Sequence, residues 1–342
     1  MKSIGILNCF FGEWPEWGDL FIETCRYNPT VDFFLVSDCA APRQGWPANV
    51  RQVKIDFADF RALAAERLGF DIALPKPYKL TDFKPAWGVI LRDYVESYDF
   101  WGFCDLDIVL GNIRAFLNEE LLDRYDLISC RREFPSGHFM LFRNTFDITH
   151  LFERSRDYRR IFSSAEVFNF DECGHGLQLK LLRGAPFAEV AGEARIDSMM
   201  HLLARSPEVR VHYETICGEQ VFLLIGGNAD KRLKIRADRG KVVDLVTGRE
   251  LMYFHLQFLK FERRVFVPRW EEIPPAFLIT RRGVFWLGDQ AFSQRVSSAL
   301  LRAGYFYLVR PILIVPILLK GMLILGSRIF SRPPAPPHKE LQ

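Results

Sequence analysis

Asp105 and Asp107 end the apolar, aromatic-rich run Tyr98-Asp99-Phe100-Trp101-Gly102-Phe103-Cys104, and Ile108-Val109-Leu110-Gly111 follows them. On an extended backbone, residues i and i+2 point to the same side. At the end of a strand the two aspartates can therefore offer two carboxylates to one cation. Hard divalent ions such as Mg²⁺ or Mn²⁺ take oxygen ligands. Such an ion can hold a diphosphate and stabilise charge on a leaving group, which points to chemistry on a nucleotide-activated substrate. Two aspartates at this spacing are common in solvated turns, but here both flanks are apolar enough to be buried. Charge beside a core is costly unless something pairs with it.

Other residues could share that task. His255 lies in Met252-Tyr253-Phe254-His255-Leu256-Gln257-Phe258-Leu259-Lys260. A neutral imidazole there would complete a mixed oxygen and nitrogen site for Mn²⁺. Strand alternation puts His255 and Gln257 on one face, and Lys260 could face a phosphate as a point charge. Lys79, Thr81, Asp82 and Lys84 form a polar cluster in an apolar neighbourhood. Either lysine could offset diphosphate charge and Asp82 could bond a sugar hydroxyl; the alternative is a helix start with surface lysines. Asn8, Gly12 and Trp14 follow the first strand and could frame a nucleotide. In Gly137-His138-Phe139 the glycine permits close backbone approach to a ligand, and His138 is a candidate for binding acceptor or donor sugar. Asp171 and Glu172 could serve as a general base or orient a sugar, the alternative being an acidic helix start favoured by the dipole. His175, Asp197 and His201 are further candidates. The chain has no GxGxxG or Walker sequence and no nucleophile-elbow serine.

These residues need elements to position them. Strands are expected at 3–10, 31–36, 50–55, 99–104, 125–130 and 137–143. Helices are expected at 19–27, 57–68 (ending near Gly69), from Pro85 through Tyr94, and at 112–122. That alternation predicts an α/β fold with a mainly parallel sheet flanked by helices. Such sheets bind ligands outside the carboxyl ends of their strands, where Asp38 and the Asp105/Asp107 pair both fall. Beyond residue 145 the pattern loosens. Helices are expected at 172–183 and 195–204, and strand-like pieces VFLLI, RLKIRA, KVVDLV and ELMYFHLQF lie between 219 and 260. No internal repeat and no second complete core is evident.

Composition narrows the class. Hydrophobic residues at 49% and aromatics at 14% exclude a mostly disordered chain. A formal charge of +3 on 342 residues gives no ground for nucleic-acid binding. Seven cysteines with no CxxC pair argue for reduced thiols in a cytosolic protein and against a disulfide framework. Residues 305–330 are apolar but interrupted by Arg310, Pro311, Pro316, Lys320 and Arg328. That composition fits a membrane-surface segment better than a spanning helix, with a buried terminal helix as the alternative. The Pro-rich residues 331–342 read as a disordered tail.

The chain resembles GT-A-type glycosyltransferases, and within them bacterial polysaccharide and lipopolysaccharide glycosyltransferase-like proteins. The pieces that carry the resemblance are PYKLTDFKP, WGFCDLDIVLGNI with Asp105-Leu106-Asp107, GHFMLFRN, and the later His255. It covers about residues 1–265. It implies a GT-A-like nucleotide-sugar-binding fold over 1–265; the organisation of the chain adds an extension over 266–304 expected to pack on that domain. It implies that Asp107 ligates the metal, that Asp105 binds metal or donor ribose, that His255 completes the metal site and that Asp38 lies near the base or ribose. The expected activity is Mn²⁺- or Mg²⁺-dependent transfer from a UDP-sugar to a glycan or lipid-linked acceptor, in a cytoplasmic protein peripheral at the membrane. Two other readings stand beside it. A nucleotidyltransferase would share metal and nucleotide but wants a glycine-rich N-terminal phosphate loop. A non-catalytic glycan-binding or scaffold protein would tolerate loss of Asp105 and Asp107.

Overall fold

The computed structural model describes residues 1–39, 45–174, 176–214, 216–218, 233–257, 259, 272–281 and 283–287. The chain divides into two compact units, Met1–Trp286 and Leu287–Gln342. The expected segment 305–330, the tail, the strand-like VFLLI, His175 and Lys260 lie outside the described residues.

The first unit is built on a seven-stranded sheet. Its strands are β1 (Ile4–Cys9), β2 (Asp32–Ser37), β3 (Val50–Lys54), β4 (Phe100–Cys104), β6 (Leu127–Ser129), β7 (Phe139–Arg143) and β8 (Val211–Tyr213), in the order β3-β2-β1-β4-β7-β6-β8. β1, β2, β3 and β4 are mutually parallel, β7 runs antiparallel to both β4 and β6, and β8 is parallel to β6. The expected α/β class with a mostly parallel sheet is therefore present. The strands read as continuous apolar runs because both faces are covered. Leu7, Phe34, Val36, Trp101 and Phe103 face one core, while Ile6, Phe33, Leu35, Phe100 and Cys104 face the other. Across β4 and β7, Trp101 stacks on Phe142 with ring centroids 4.5 Å apart.

Helices cover each face. α1 (Gly18–Arg26) buries Phe21, Ile22 and Cys25 against the second of those cores. α2 (Phe57–Leu68) starts at Asp56, whose side chain accepts from Asp59 N, and ends at Gly69 in the left-handed conformation at φ 73°. That is the end the sequence indicates, since glycine adopts it without a Cβ penalty. The helix expected from Pro85 to Tyr94 is instead a series of short turns, Trp87–Ile90 and Arg92–Val95, with Leu91 between them off helical geometry at ψ 27°.

The looser half holds more order than its sequence suggests. β5 (Ile108–Leu110), β9 (Cys217–Gly218) and β13 (Tyr253–His255) form a three-stranded sheet in the order β5-β13-β9. β10 (Lys234–Asp238), β11 (Lys241–Asp244), β12 (Glu250–Leu251), β14 (Ala276–Thr280) and β15 (Gly283–Trp286) form a five-stranded antiparallel sheet. Its apolar side, with Ile235, Val242, Phe277 and Ile279, packs in one cluster with Leu20 of α1 and Val109 of β5. This third core was not expected. It is shared with the first sheet's elements, so neither partner's share of the pattern looks complete alone.

Candidate active site

The site forms where β1 and β4 end at their carboxyl edge and the antiparallel β7 begins. β1 and β4 pair with Leu7 opposite Phe103. Asn8 therefore comes level with Cys104, and its Nδ2 donates to Cys104 O at 2.7 Å. β4 and β7 pair with Cys104 opposite Phe139, and one step further Asp105 N donates to His138 O at 3.0 Å. Sheet register thus delivers Asn8, Asp105 and His138 to one place.

β5 brings in the rest. It pairs antiparallel with β13, with Ile108 opposite His255, and Leu256 N donates to Asp107 O at 2.8 Å. Asp107 and His255, 148 positions apart in sequence, are neighbours, with Nε2 3.4 Å from Asp107 Oδ2. Asp105, Asp107 and His255 each turn one ligand atom into a group whose members all lie within 4.8 Å of one another. Ligands about 2.1 Å from one ion sit about 3 Å apart when cis and about 4.2 Å when trans. Two carboxylates and an imidazole grouped in this way could hold one divalent ion, and a mixed oxygen and nitrogen donor set suits Mn²⁺.

A cavity of about 610 Å³ opens on this cluster. Asn8, Lys84, Asp105, Asp107, His138, Asp171, Glu172, His255 and Gln257 line it. Lys84, 5% exposed, sends Nζ to Asp105 Oδ1 at 2.6 Å and to Gly137 O at 2.5 Å, with Asp171 Oδ2 3.7 Å away. Burial works against charge on Lys84, but Asp105 and Asp171 outweigh it and hold its pKa above the ordinary lysine value. Burial pushes the Asp171 carboxyl well above the usual carboxylate range, with Lys84 pulling the other way. Burial also drives His138 well below the usual histidine value, helped by His255, Arg131 and Lys84. A neutral His138 stacks on His255 with ring centroids 4.4 Å apart, and its buried Nε2 has no hydrogen-bond partner among the described residues.

Gly137 sits between the two carboxylate motifs. Its N–H donates to Glu172 Oε1 at 3.2 Å, and a Cβ there would come within 2.6 Å of Asp171 Oδ2. Asp171 and Glu172 occupy a turn ahead of the helix Gln178–Leu182, not its first turn. The helix expected from 172 is delayed because Gly174 and Gly176 take φ of 84° and 94°.

Several expected residues lie elsewhere. Lys79 and Asp82 are fully buried, pair with each other at 2.7 Å and do not line the cavity, so neither is placed to meet a nucleotide or sugar. Gly12 and Asp38 also lie off the cavity wall, where Gly12 N donates to the Asp38 carboxylate at 2.9 Å. Asp197 is 2% exposed and bonded by Arg205, and His201 caps the helix Met199–Ala204 with Ser198. Arg131, Asn169 and Gln178 are among the lining residues that escaped the sequence reading. Arg131 follows β6 by two positions, so the strand-end rule could have flagged it. Gln178 is legible only in space, where its Nε2 donates to Glu172 Oε2 at 3.2 Å.

The sequence pattern described as a family of unknown function, DUF6625, matches residues 6–285. The chain belongs to that family. The DUF6625 match takes in every cavity residue named above. No curated protein matches the chain. Among solved structures, an active-site mutant of LgtC is 12% identical with a TM-score of 0.31, over 47% of this chain and 66% of that one. The galactosyltransferase LgtC with donor and acceptor sugar analogues is 12% identical at TM-score 0.30 over the same shares. The apo glycosyltransferase GlyE of Streptococcus pneumoniae TIGR4 is 15% identical at 0.25, over 42% of this chain and 34% of that one. The DUF6625 chain thus spans just under two thirds of LgtC and about a third of GlyE. These structural neighbours are glycosyltransferases, but at such TM-scores the likeness carries no argument about function.

Proposed function

We propose that this chain is a metal-dependent glycosyltransferase that moves a sugar from a nucleotide sugar, UDP-linked, to a glycan or lipid-linked acceptor in cell-surface polysaccharide synthesis. The observation that carries the reading is the grouping of Asp105, Asp107 and His255 at the cavity, beneath the carboxyl edge of a mostly parallel sheet. Mn²⁺ or Mg²⁺ held by these three would supply charge to the departing diphosphate.

The chain's own groups do the rest. The reaction breaks the bond between the anomeric carbon and the diphosphate oxygen, whose electron pair leaves with UDP. A new bond forms to an acceptor hydroxyl oxygen, and the hydroxyl proton must be taken up. Lys84 contributes fixed positive charge beside Asp105. Asp171 and Glu172, across Gly137 from the metal carboxylates, are positioned to orient the sugar or accept that proton. His138, being neutral, can bond a hydroxyl through Nε2 without adding charge.

A panel of nucleotide sugars titrated by calorimetry, with and without Mn²⁺ and with acceptor glycans present, tests the reading. We expect one UDP-sugar to bind only with Mn²⁺, and Asp107→Ala to weaken that binding about 100-fold or more while the protein stays folded. A folded wild-type chain that binds no nucleotide sugar under any of these conditions would refute it and leave a non-catalytic protein.

A further inference from the structure

The buried pair Lys79–Asp82 does work that an apolar pair could not. Both side chains are 0% exposed, in a neighbourhood rich in phenylalanine. Burying an ion pair gains little over apolar packing unless the surroundings complete its hydrogen bonds. Here they do, and the bonds go to one stretch of chain. Lys79 Nζ donates to Ile161 O at 2.9 Å and to Glu166 O. The Asp82 carboxylate accepts Phe168 N at 3.0 Å and Phe170 N at 2.9 Å. Between those two amides Asn169 adopts a left-handed φ of 55°. Residues 163–177 contain no helix or strand among those described. The Glu166 carbonyl and the Phe168 and Phe170 amides, outside any helix or strand, bond to this pair, while the Ile161 carbonyl at the end of the helix Tyr158–Phe162 accepts Lys79 as well as Ser164 N.

The next residues are Asp171 and Glu172. We propose that Lys79 and Asp82 are positioning residues: they fix the segment 161–170 and thereby aim Asp171 and Glu172 at Gly137 and Lys84. The inference rests on the glycosyltransferase reading for what those carboxylates do. Asp105, Asp107 and His255 are placed by a different device, the pairing of β4 with β7 in one sheet and of β5 with β13 in another. The two carboxylate pairs are therefore separable by mutation. Disturbing Asp82 relaxes Asp171 and Glu172 but leaves the metal cluster in place.

The test uses the full chain and compares wild type, Asp82→Asn, Asp82→Glu, Asp171→Asn and the double variant Asp82→Asn/Asp171→Asn. Three readouts are needed: Mn²⁺-dependent UDP binding, kcat and KM for turnover of the UDP-sugar found by the panel, and amide hydrogen exchange. In Asp82→Asn we expect UDP affinity and donor KM within about twofold of wild type, the scatter of uncoupled sites. We expect kcat about 10–100-fold lower, the cost of misplacing a reacting group by about 1 Å. Exchange over 163–174 should accelerate while that over 100–110 does not. The kcat losses of Asp82→Asn and Asp171→Asn should not multiply in the double variant, because one acts through the other. Asp82→Glu keeps the charge but shifts it by a methylene, and it carries the same expectation if Asp82→Asn fails to fold. Multiplying losses, or UDP binding that falls in step with kcat and the folded fraction, would overturn the proposal and leave a purely structural pair. A wild type that binds no UDP sinks the functional reading alone. In that case unchanged exchange over 163–174 in the Asp82 variants still overturns the positioning claim.

Discussion

Single side chains in this site are held to close tolerances, and Gly137 shows how close. A methyl group there would sit 2.6 Å from Asp171 Oδ2 and 2.9 Å from Glu172 Oε1, both well inside contact distance. Gly137→Ala must therefore push both carboxylates away from Lys84. We expect the variant to fold with a loss of about 1–3 kcal/mol, the usual cost of overpacking. We expect turnover to fall by about 100-fold. A variant with wild-type kcat would show that the carboxylates need not lie where they do. Lys84 makes the same point from the other side. Buried, it keeps its charge because Asp105 and Asp171 flank it. On the proposed reading, the positive charge is fixed before a diphosphate arrives, which would avoid reorganisation during reaction.

Elements set these positions through register, and the far ends of the strands need their own fastening. Asp126, just before β6, accepts from Arg143 Nε of β7 at 2.9 Å and from Arg210 Nη2, just before β8, at 2.6 Å. The Arg210 hydrogen bond is the main cause that lowers its pKa to about 2. A folded-state pKa below the unfolded value of about 3.9 stabilises the fold above that value. The contribution is lost as pH falls from about 4 through about 2. Asp126→Asn should therefore be less stable than wild type at pH 7, and chemical denaturation should show the difference shrinking across that acid window. A difference independent of pH would mean the charge of Asp126 contributes nothing. At this scale the sequence was informative where contacts are local or periodic. The apolar runs of β1, β2 and β4 and the glycine closing α2 could be read directly. Lys79 and Asp82 read as ligand contacts because two charges among aromatics suggest a site. Their actual partners, Ile161, Glu166, Phe168 and Phe170, lie more than 80 positions away, and no local pattern encodes that. Of the five-stranded sheet, β10, β11 and β12 were legible as RLKIRA, KVVDLV and ELMYFHLQF, but its core was not, because it borrows Leu20 and Val109 from elements far upstream.

The whole molecule joins these devices on one edge. The mostly parallel sheet contributes Asn8, Asp105 and His138, the pairing of β5 with β13 contributes His255, and the irregular segment before residue 171 contributes Asp171 and Glu172. The cavity they share, about 610 Å³, is of the size that takes a cofactor or nucleotide. Among the described residues no helix is long and apolar enough to cross a membrane. The central claim is that this edge holds a divalent ion against a nucleotide diphosphate, and crystals soaked with Mn²⁺ and UDP, with anomalous scattering recorded at the manganese edge, test it most directly. The account predicts one anomalous peak about 2.1 Å from carboxylate oxygens of Asp105 and Asp107 and from His255 Nε2, with the UDP phosphates beside it. Ordered UDP with no manganese at these three residues, or manganese bound elsewhere, would contradict it.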